Sequence, residues 1–412
     1  MITRLLLIVL LTISSGALAA PPVNPPGLLP TDAARPLLEQ DPGVAAARAG
    51  LEVALQEAGI LDRSPYEWTA RSTGQQRSLQ TGPRYTEWHV GIERTMRLPG
   101  KAAADRDLGT ATVEESQARH GEAVHEAARE LMAHWVDWLA AERALELAAN
   151  NLQSVQAGFA AVEKRFRAGD ASKLDVSIGR AELAEQRRTD NDARTQASAA
   201  WARFSTRFPG VKRQITTLPA PMLIGEDTAF WRDRILEESD ELKVVQMRMR
   251  VTQAQAERAR ADKIPDPTLG VYTASEIGGR ERFSGVMISI PIPGGLRDSR
   301  HARAMAKIEV SRQEIELRKR QLETNIASAI ATARGTYESL QMATEGAAAM
   351  QENAALMQRA YVLGEAELQA LLLTRRQANA AMNAALQAQV AALKAYYRLL
   401  VDAHLVWGLE HD

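Results

Sequence analysis

The sequence predicts a mainly α chain with a small β part, built as a duplicated half-molecule of long coiled-coil helices plus four strands. Three observations carry this. Arg97, Leu98, Pro99 and Gly100 return as Pro291, Ile292, Pro293 and Gly294, and Phe166 to Ala171 return as Tyr361 to Ala366, offsets of 194 and 195 residues. A repeat of that length is a duplicated half, not a solenoid of short units. Leu131, Trp138, Leu145, Leu152, Phe159 and Phe166 stand seven apart, with Ala141, Ala148, Val155 and Val162 three places beyond, which is a coiled-coil seam. Before each long helix the hydrophobic period drops to two, the signature of a strand.

The elements follow in order. Residues 1–19 read as a secretory signal: Arg4 is the positive start, Leu5 to Ile13 the apolar stretch, and Ala17-Leu18-Ala19 the small-x-small cleavage pattern. The alternative, a retained anchor, is disfavoured because that stretch is too short to cross a bilayer. Residues 20–36 are Pro-rich and read as an extended arm or flexible leader. The first repeat is expected over 37–207. It opens with a helix from Asp41 to Leu61, where Asp-Pro supplies N-cap and N1. Strands follow over Tyr66–Thr73 and Tyr85–Leu98. The second places Trp88, Val90, Ile92, Met96 and Leu98 on one face, broken by Arg94, and His89, Gly91, Glu93, Thr95 and Arg97 on the other. A helix over Lys101–Phe166, on the order of 100 Å long, ends at Gly169, and another runs to Arg207. A linker spans 208–228. The second repeat, 229–412, predicts a helix over Phe230–Ala261, strands over Thr268–Ser275 and Phe283–Ile292, and helices over Arg297–Leu363 and Glu365–Leu409. In its second strand Val286, Ile288, Ile290 and Ile292 share a face. Leu372, Leu386, Leu393, Leu400 and Trp407 lie on a seven-residue grid with Asn379 as the polar exception.

Composition excludes several classes. The net charge of −1 offers no general field for nucleic acid, so no nucleic-acid partner is expected. With no cysteine there is no disulfide, no thiolate metal site and no lipid-bearing cysteine. The seven histidines are scattered, and no HExxH or carboxylate–histidine grouping is visible in sequence, so no metal site and no cofactor are expected. No nucleophile motif and no catalytic residues emerge, so the chain does not read as an enzyme. Gly278-Gly279-Arg280 reads as a surface turn between strands.

Strands of this length, apolar on one face and polar on the other, suit an outer membrane, with Tyr66, Trp68, Tyr85 and Trp88 as an aromatic belt. The competing view is a soluble hairpin packed on helices. Four strands cannot close a barrel, and open sheet edges are not tolerated in lipid. Spanning strands would therefore have to be shared among chains, and three chains would supply twelve. The long heptad stripes likewise require neighbours.

With the duplicated plan, the Leu98-Pro99-Gly100-Lys101 and Ile292-Pro293-Gly294-Gly295 junctions and the turns at Gly169 and Gly364, nearly all of the mature chain resembles the outer-membrane factor family, the TolC-like efflux channels. The Leu-Pro-Gly-Lys junction is most similar to the heavy-metal branch of CzcC and CusC type. Two features depart from the pattern: Arg94 stands where a lipid-facing apolar residue is expected, by snorkelling or through a bulge, and the lipoprotein cysteine is missing. The resemblance implies a homotrimer in the outer membrane of a Gram-negative bacterium, with a twelve-stranded barrel in lipid and a helical tunnel in the periplasm. It also implies a periplasmic adaptor (membrane fusion) protein and an inner-membrane pump of RND type as partners, the channel itself being a passive, gated conduit.

Three sets of site residues follow. Gly169, Asp170, Ala171, Ser172, Gly364, Glu365 and Ala366 form the tip turns expected to dock the adaptor, beside their plain role as helix caps. In a trimer Asp170 and Glu365 would also form carboxylate rings. Pro99, Gly100, Pro293 and Gly294 turn strand into helix. Trp88, Val90, Ile92, Met96, Val286, Ile288 and Ile290 form the lipid-facing set. Drug, small-molecule or protein export within the same family, a periplasmic adaptor with one coiled-coil hairpin, and a non-membrane periplasmic coiled-coil protein are the competing readings.

Overall fold

The computed structural model describes residues 24–78, 80–213, 217–225 and 227–409. The expected signal segment lies outside them. The elements are α1 (Thr31–Glu39), α2 (Pro42–Asp62), β1 (Thr69–Ser78), β2 (Arg84–Thr95), α3 (Pro99–Arg167), α4 (Lys173–Arg207), α5 (Thr228–Glu238), α6 (Asp240–Ala261), β3 (Thr268–Glu276), β4 (Glu281–Ser289), α7 (Gly295–Leu363) and α8 (Leu368–Asp402). The duplication is metrical: α3 and α7 each have 69 residues, and α4 and α8 each have 35. No described helix is long and apolar enough to cross a membrane.

The four strands form one antiparallel meander in the order β1-β2-β3-β4, with β2 pairing β3 to join the halves. The strands have 10, 12, 9 and 9 residues. β2 stops at Thr95 and β4 at Ser289, short of the expected Leu98 and Ile292. Met96 N–H still donates to Pro267 O at 2.8 Å, but Pro267 has no N–H to return, so the ladder ends there.

The helices pack as two long hairpins, α3 with α4 and α7 with α8, with α2 and α6 laid against the sheet-proximal part of α3. One large core sits where α3, α4 and α8 meet. Trp138 stacks parallel to Phe204 with centroids 6.0 Å apart, and Trp135 meets Trp138 edge-on at 5.1 Å. The α3 seam is not the single stripe expected. Leu131 and Trp138 are fully buried, but farther along Val155 and Val162 bury while Leu145, Leu152 and Phe159 are half-buried and Phe166 is exposed. Toward the tip Val162 packs against Leu368, Leu371 and Leu372 of α8, so the second hairpin, not the heptad grid, sets which positions bury there.

Three further expectations need correction. The Pro-rich segment is no flexible leader in its described part. Residues 31–36 belong to α1, Leu28 and Leu29 are buried, and backbone carbonyls of the segment take hydrogen bonds from core aromatics: Trp135 Nε1 to Gly27 O (2.7 Å), Tyr397 OH to Pro26 O (2.6 Å) and Trp407 Nε1 to Leu29 O (2.8 Å). Arg35 returns the tie by donating to Trp407 O and Gly408 O. The helix expected over Phe230–Ala261 is broken at Ser239, whose side chain caps Leu242 N–H at 3.2 Å and starts α6 afresh. The last helix ends at Asp402. Trp407 is buried but lies beyond the helix at φ 59°, so its place on the heptad grid is numerical only.

These ties set a stability order. Tyr397→Phe removes one hydrogen bond and should cost about 1 kcal/mol. Trp407→Ala removes both the hydrogen bond and a buried indole and should cost about 3–5 kcal/mol. Melting temperatures of the detergent-extracted variants check that order.

Candidate functional site

The sheet has its faces the wrong way round for a water-soluble protein. Trp88, Val90, Ile92, Val286 and Ile288 all lie on one face and are exposed, Val286 at 73% and Ile288 at 65%. Leu269 and Val271 of β3 join them. Met96 and Ile290 are also exposed but stand just past the paired residues. The opposite face carries the polar groups. Arg71 pairs with Glu93 (2.7 Å), Gln75 donates to Glu87 (2.7 Å), and Arg77 bridges Glu87 (2.8 Å) and Glu276 (3.0 Å). Glu87 is completely buried there, and its carboxylate also accepts from Ile277 N–H. Tyr272 lies flat across this face because Gly91 and Gly285 leave room. A Cβ on Gly285 would come within 2.7 Å of its ring. A soluble antiparallel sheet covers its apolar face and wets the polar one; here the extensive contacts of the strands are among themselves, and the apolar face is bare.

Arg94 keeps the register. Ile92 pairs with Val271 and Arg94 with Leu269 without a bulge. Its side chain folds toward the sheet's helical end, donating to Tyr66 O at 3.1 Å and lying 5.5 Å from the exposed Trp68 ring. Reach of the charge toward a polar boundary is the behaviour of a snorkelling arginine.

Below the sheet the chain turns into helix through a buried ionic knot. Pro99 opens α3 at N1 and Gly100 follows. In the second half Gly294 is the N-cap, so α7 starts two residues later relative to the repeat. In the first half Lys101, 3% exposed, reaches Asp266 at 3.0 Å and Asp262 at 3.2 Å. Asp266 also accepts from Leu98 N–H (3.0 Å) and Tyr66 OH (2.8 Å). Arg97 donates to the carbonyls of Leu61 and Asp62 at the end of α2 and bridges Asp105, which in turn pairs with Arg258 of α6. Burial pushes the Asp266 carboxyl up, but the Leu98 N–H, the Tyr66 hydroxyl and Lys101 outweigh it and hold it below the ordinary carboxylate range. Burial likewise opposes the Asp262 charge, and Arg258 and Lys101 prevail. Of this knot the sequence marked Arg97 and Lys101 only as members of the strand-to-helix junction, beside Pro99 and Gly100, and none of the acidic partners. The charged partners come from both repeats, and nothing in their spacing brings them together.

At the far end the two tip turns are built alike. Gly169 and Gly364 sit at φ 82° and 81°. In each turn the next residue closes the helix, Asp170 N–H to Arg165 O (2.8 Å) and Glu365 N–H to Ala360 O (2.9 Å). Ser172 forms a capping box with Asp175 at the start of α4. Ala171 and Ala366 complete the two turns. The Asp170 carboxylate is bonded to Arg165 at 2.8 Å and so is not a bare carboxylate; Arg165 in turn lies over the Tyr361 ring of the other hairpin. Higher up, Arg376 of α8 grips the buried Glu182 of α4. By the 195-residue offset between α4 and α8, Arg376 stands one place before the repeat equivalent of Glu182. They tie the hairpins together near the tips, and the sequence reading had singled out neither.

The fold also assembles a grouping invisible in the sequence. His125, Asp240 and His404 converge, all buried, from α3, α6 and the segment after α8.

Comparison with known proteins gives the same picture. The profile of the outer membrane efflux protein family matches residues 34–206 and 231–401, one match per repeat. No curated protein matches the sequence significantly. Among solved structures, a membrane protein from Pseudomonas aeruginosa superposes with a TM-score of 0.77 at 17% identity, covering 96% of this chain and 97% of that one. The outer membrane protein VceC from Vibrio cholerae gives 0.72 at 15% identity, covering 90% and 94%. The open state of the MtrE outer membrane channel from Neisseria gonorrhoeae gives 0.71 at 17%, covering 93% and 90%.

Two outcomes test the knot. Lys101→Met leaves Asp266 buried without its cation and should cost about 3–5 kcal/mol, read as a drop in melting temperature. Because the folded-state pKa values of Asp262 and Asp266 are depressed, their contribution is intact above the ordinary carboxylate pKa. It is lost as pH falls through that value toward the folded one. Asp266→Asn should therefore flatten the acid limb of melting temperature against pH.

Proposed function

The chain belongs to the outer membrane efflux protein family, and from that premise we propose that it is the outer-membrane conduit of a tripartite efflux assembly in a Gram-negative bacterium. Three chains contribute four strands each to one twelve-stranded barrel, and their hairpins continue it as a helical tunnel through the periplasm. At on the order of 100 Å, α3 and α7 have the reach for that. The tip turns meet a periplasmic adaptor protein, which couples the tunnel to an inner-membrane pump of RND type. The conduit carries no energy source of its own; members of this family are passive channels, not enzymes. For the cargo we favour heavy-metal cations over organic drugs, on the Leu98-Pro99-Gly100-Lys101 junction alone. Accumulation of metal, rather than of dye, in cells lacking the chain tests that choice.

The observation that carries this reading is the sheet. It is four strands of membrane-spanning length, apolar on the bare face, polar on the other, with both edges open. Four strands are half the number at which small barrels begin, about eight. Three chains satisfy closure; one does not.

The reading assigns opposite roles to the two faces, and substitution separates them. Val286→Arg on the lipid-facing side should abolish insertion and channel steps in planar bilayers, since a mid-bilayer arginine costs about 2–4 kcal/mol. Thr73→Arg on the lumenal side should insert normally and change only conductance or ion selectivity. Equal tolerance at both positions would contradict the assignment. At the tips, a photo-crosslinker at Ala171 or Ala366 should capture the adaptor in cells, whereas one at the mid-tunnel Arg188 should not. Absence of adaptor from the tip adducts would remove the docking role.

A further inference from the structure

Midway down the wall, away from the lumen-facing sheet and the tips, three side chains point at one spot. His404 Nε2 lies 3.4 Å from Asp240 Oδ2, and His125 Nδ1 lies 3.9 Å from the same oxygen. The imidazole rings are 4.9 Å apart, edge to face. One ligand atom from each of the three residues falls within 4.8 Å of the others, and all three residues are buried. A tetrahedral zinc ion with nitrogen and oxygen ligands at about 2.0–2.1 Å holds those atoms about 3.3 Å apart. The His404–Asp240 distance is already there, and a small side-chain rotation closes the rest.

The surroundings fit a metal better than a simple ion pair. The outer nitrogen of each ring faces a second carboxylate: His125 Nε2 lies 3.5 Å from Asp402 Oδ1, and His404 Nδ1 lies 3.9 Å from Glu238 Oε2. Closed to hydrogen-bonding distance, these pairs would be the carboxylate–histidine arrangement that fixes the tautomer of a metal ligand and raises its basicity. The two outer carboxylates are themselves anchored, Asp402 by Arg129 at 2.7 Å and Glu238 by Arg234 at 3.0 Å. Asp240 Oδ1 faces Lys243 at 3.8 Å, and Oδ2 lies toward both rings. His404 holds a left-handed backbone at φ 56°, a conformation costing a non-glycine residue on the order of 1–3 kcal/mol, and it is this conformation that turns the ring inward just after α8.

We infer that His125, Asp240 and His404 bind one divalent transition cation per chain, with Zn²⁺ the ion that this two-nitrogen, one-oxygen set fits best and water completing the shell. The cation is a staple, not cargo. It joins the middle of the first-repeat helix α3 to the start of α6 and to the chain's C-terminal end, and so couples both repeats in the tunnel wall. The inference does not depend on how the sheet or the tips are used.

The test uses the full-length, detergent-extracted protein, stripped with chelator and dialysed. Calorimetric titration with Zn²⁺ should give one saturable site per chain, and Co²⁺ should give the strong visible absorption of a tetrahedral site. His125→Gln and His404→Asn should each weaken Zn²⁺ binding at least tenfold. Asparagine is chosen at 404 because it tolerates the left-handed backbone. His134→Gln, outside the cluster, should bind as the parent does. Zn²⁺ should raise the melting temperature of the parent and of His134→Gln, but not of the cluster variants. The inference falls if the parent shows no one-per-chain site, or if both cluster variants bind like the parent. Should a variant lose its helical circular dichroism, the Co²⁺ spectrum of the parent decides alone: tetrahedral bands uphold the site, and their absence overturns it.

Discussion

An open sheet edge cannot be left in lipid. Each unpaired N–H or C=O there costs several kcal/mol, because no water is present to replace the missing partner. This chain has two such edges, the outer side of β1 and the outer side of β4, on a sheet whose exposed face is apolar. In water the bare valines and isoleucines would be the liability; in lipid the edges would be. Only closure with other copies removes both at once. The strand lengths and the bare apolar face both fit that one requirement.

The rest of the molecule holds that sheet in place and carries its opening downward. Turning an extended strand into a helix leaves the first N–H groups of the helix without partners, and here Pro99 at N1 and the Lys101–Asp266 knot manage the change of direction. The knot draws on both repeats, so it also fixes the rotation of one half against the other. Lower down the aromatic core and the N-terminal segment do the same by packing. Residues near both ends of the described chain meet at Trp407 and Leu29, closing the fold across nearly its whole length.

Much of this was legible in the sequence, for identifiable reasons. Duplication is a comparison of the chain with itself and needs no geometry, and it returned helices of equal length in each half. Caps are local: Asp41 beside Pro42, Gly169, Gly364 and Ser172 lie where their spacing put them. The polar and apolar alternation of β2 survived because a strand's period leaves no freedom. What failed was non-local. The buried seam of α3 passes from Leu145 and Phe159 to Val155 and Val162 toward the tip, where Val162 packs against Leu368, Leu371 and Leu372 of α8. The Pro-rich segment looked unstructured because its partners, Trp135, Tyr397 and Trp407, are distant in sequence. Lys101–Asp266, Glu182–Arg376 and the His125–Asp240–His404 grouping are likewise products of tertiary approach.

The most direct measurement uses the fact that the chain contains no cysteine. Pairs of cysteines, one stepped along Thr69–Ser78 in β1 and one along Glu281–Ser289 in β4, can be oxidised in intact outer membranes and resolved on non-reducing gels. These two strands lie at opposite edges of the sheet in one chain, so a disulfide between them reports a neighbouring copy. The account predicts that pairs in one register give a reducible ladder ending at three chains. Monomer at every register, or a ladder running past three, would contradict it.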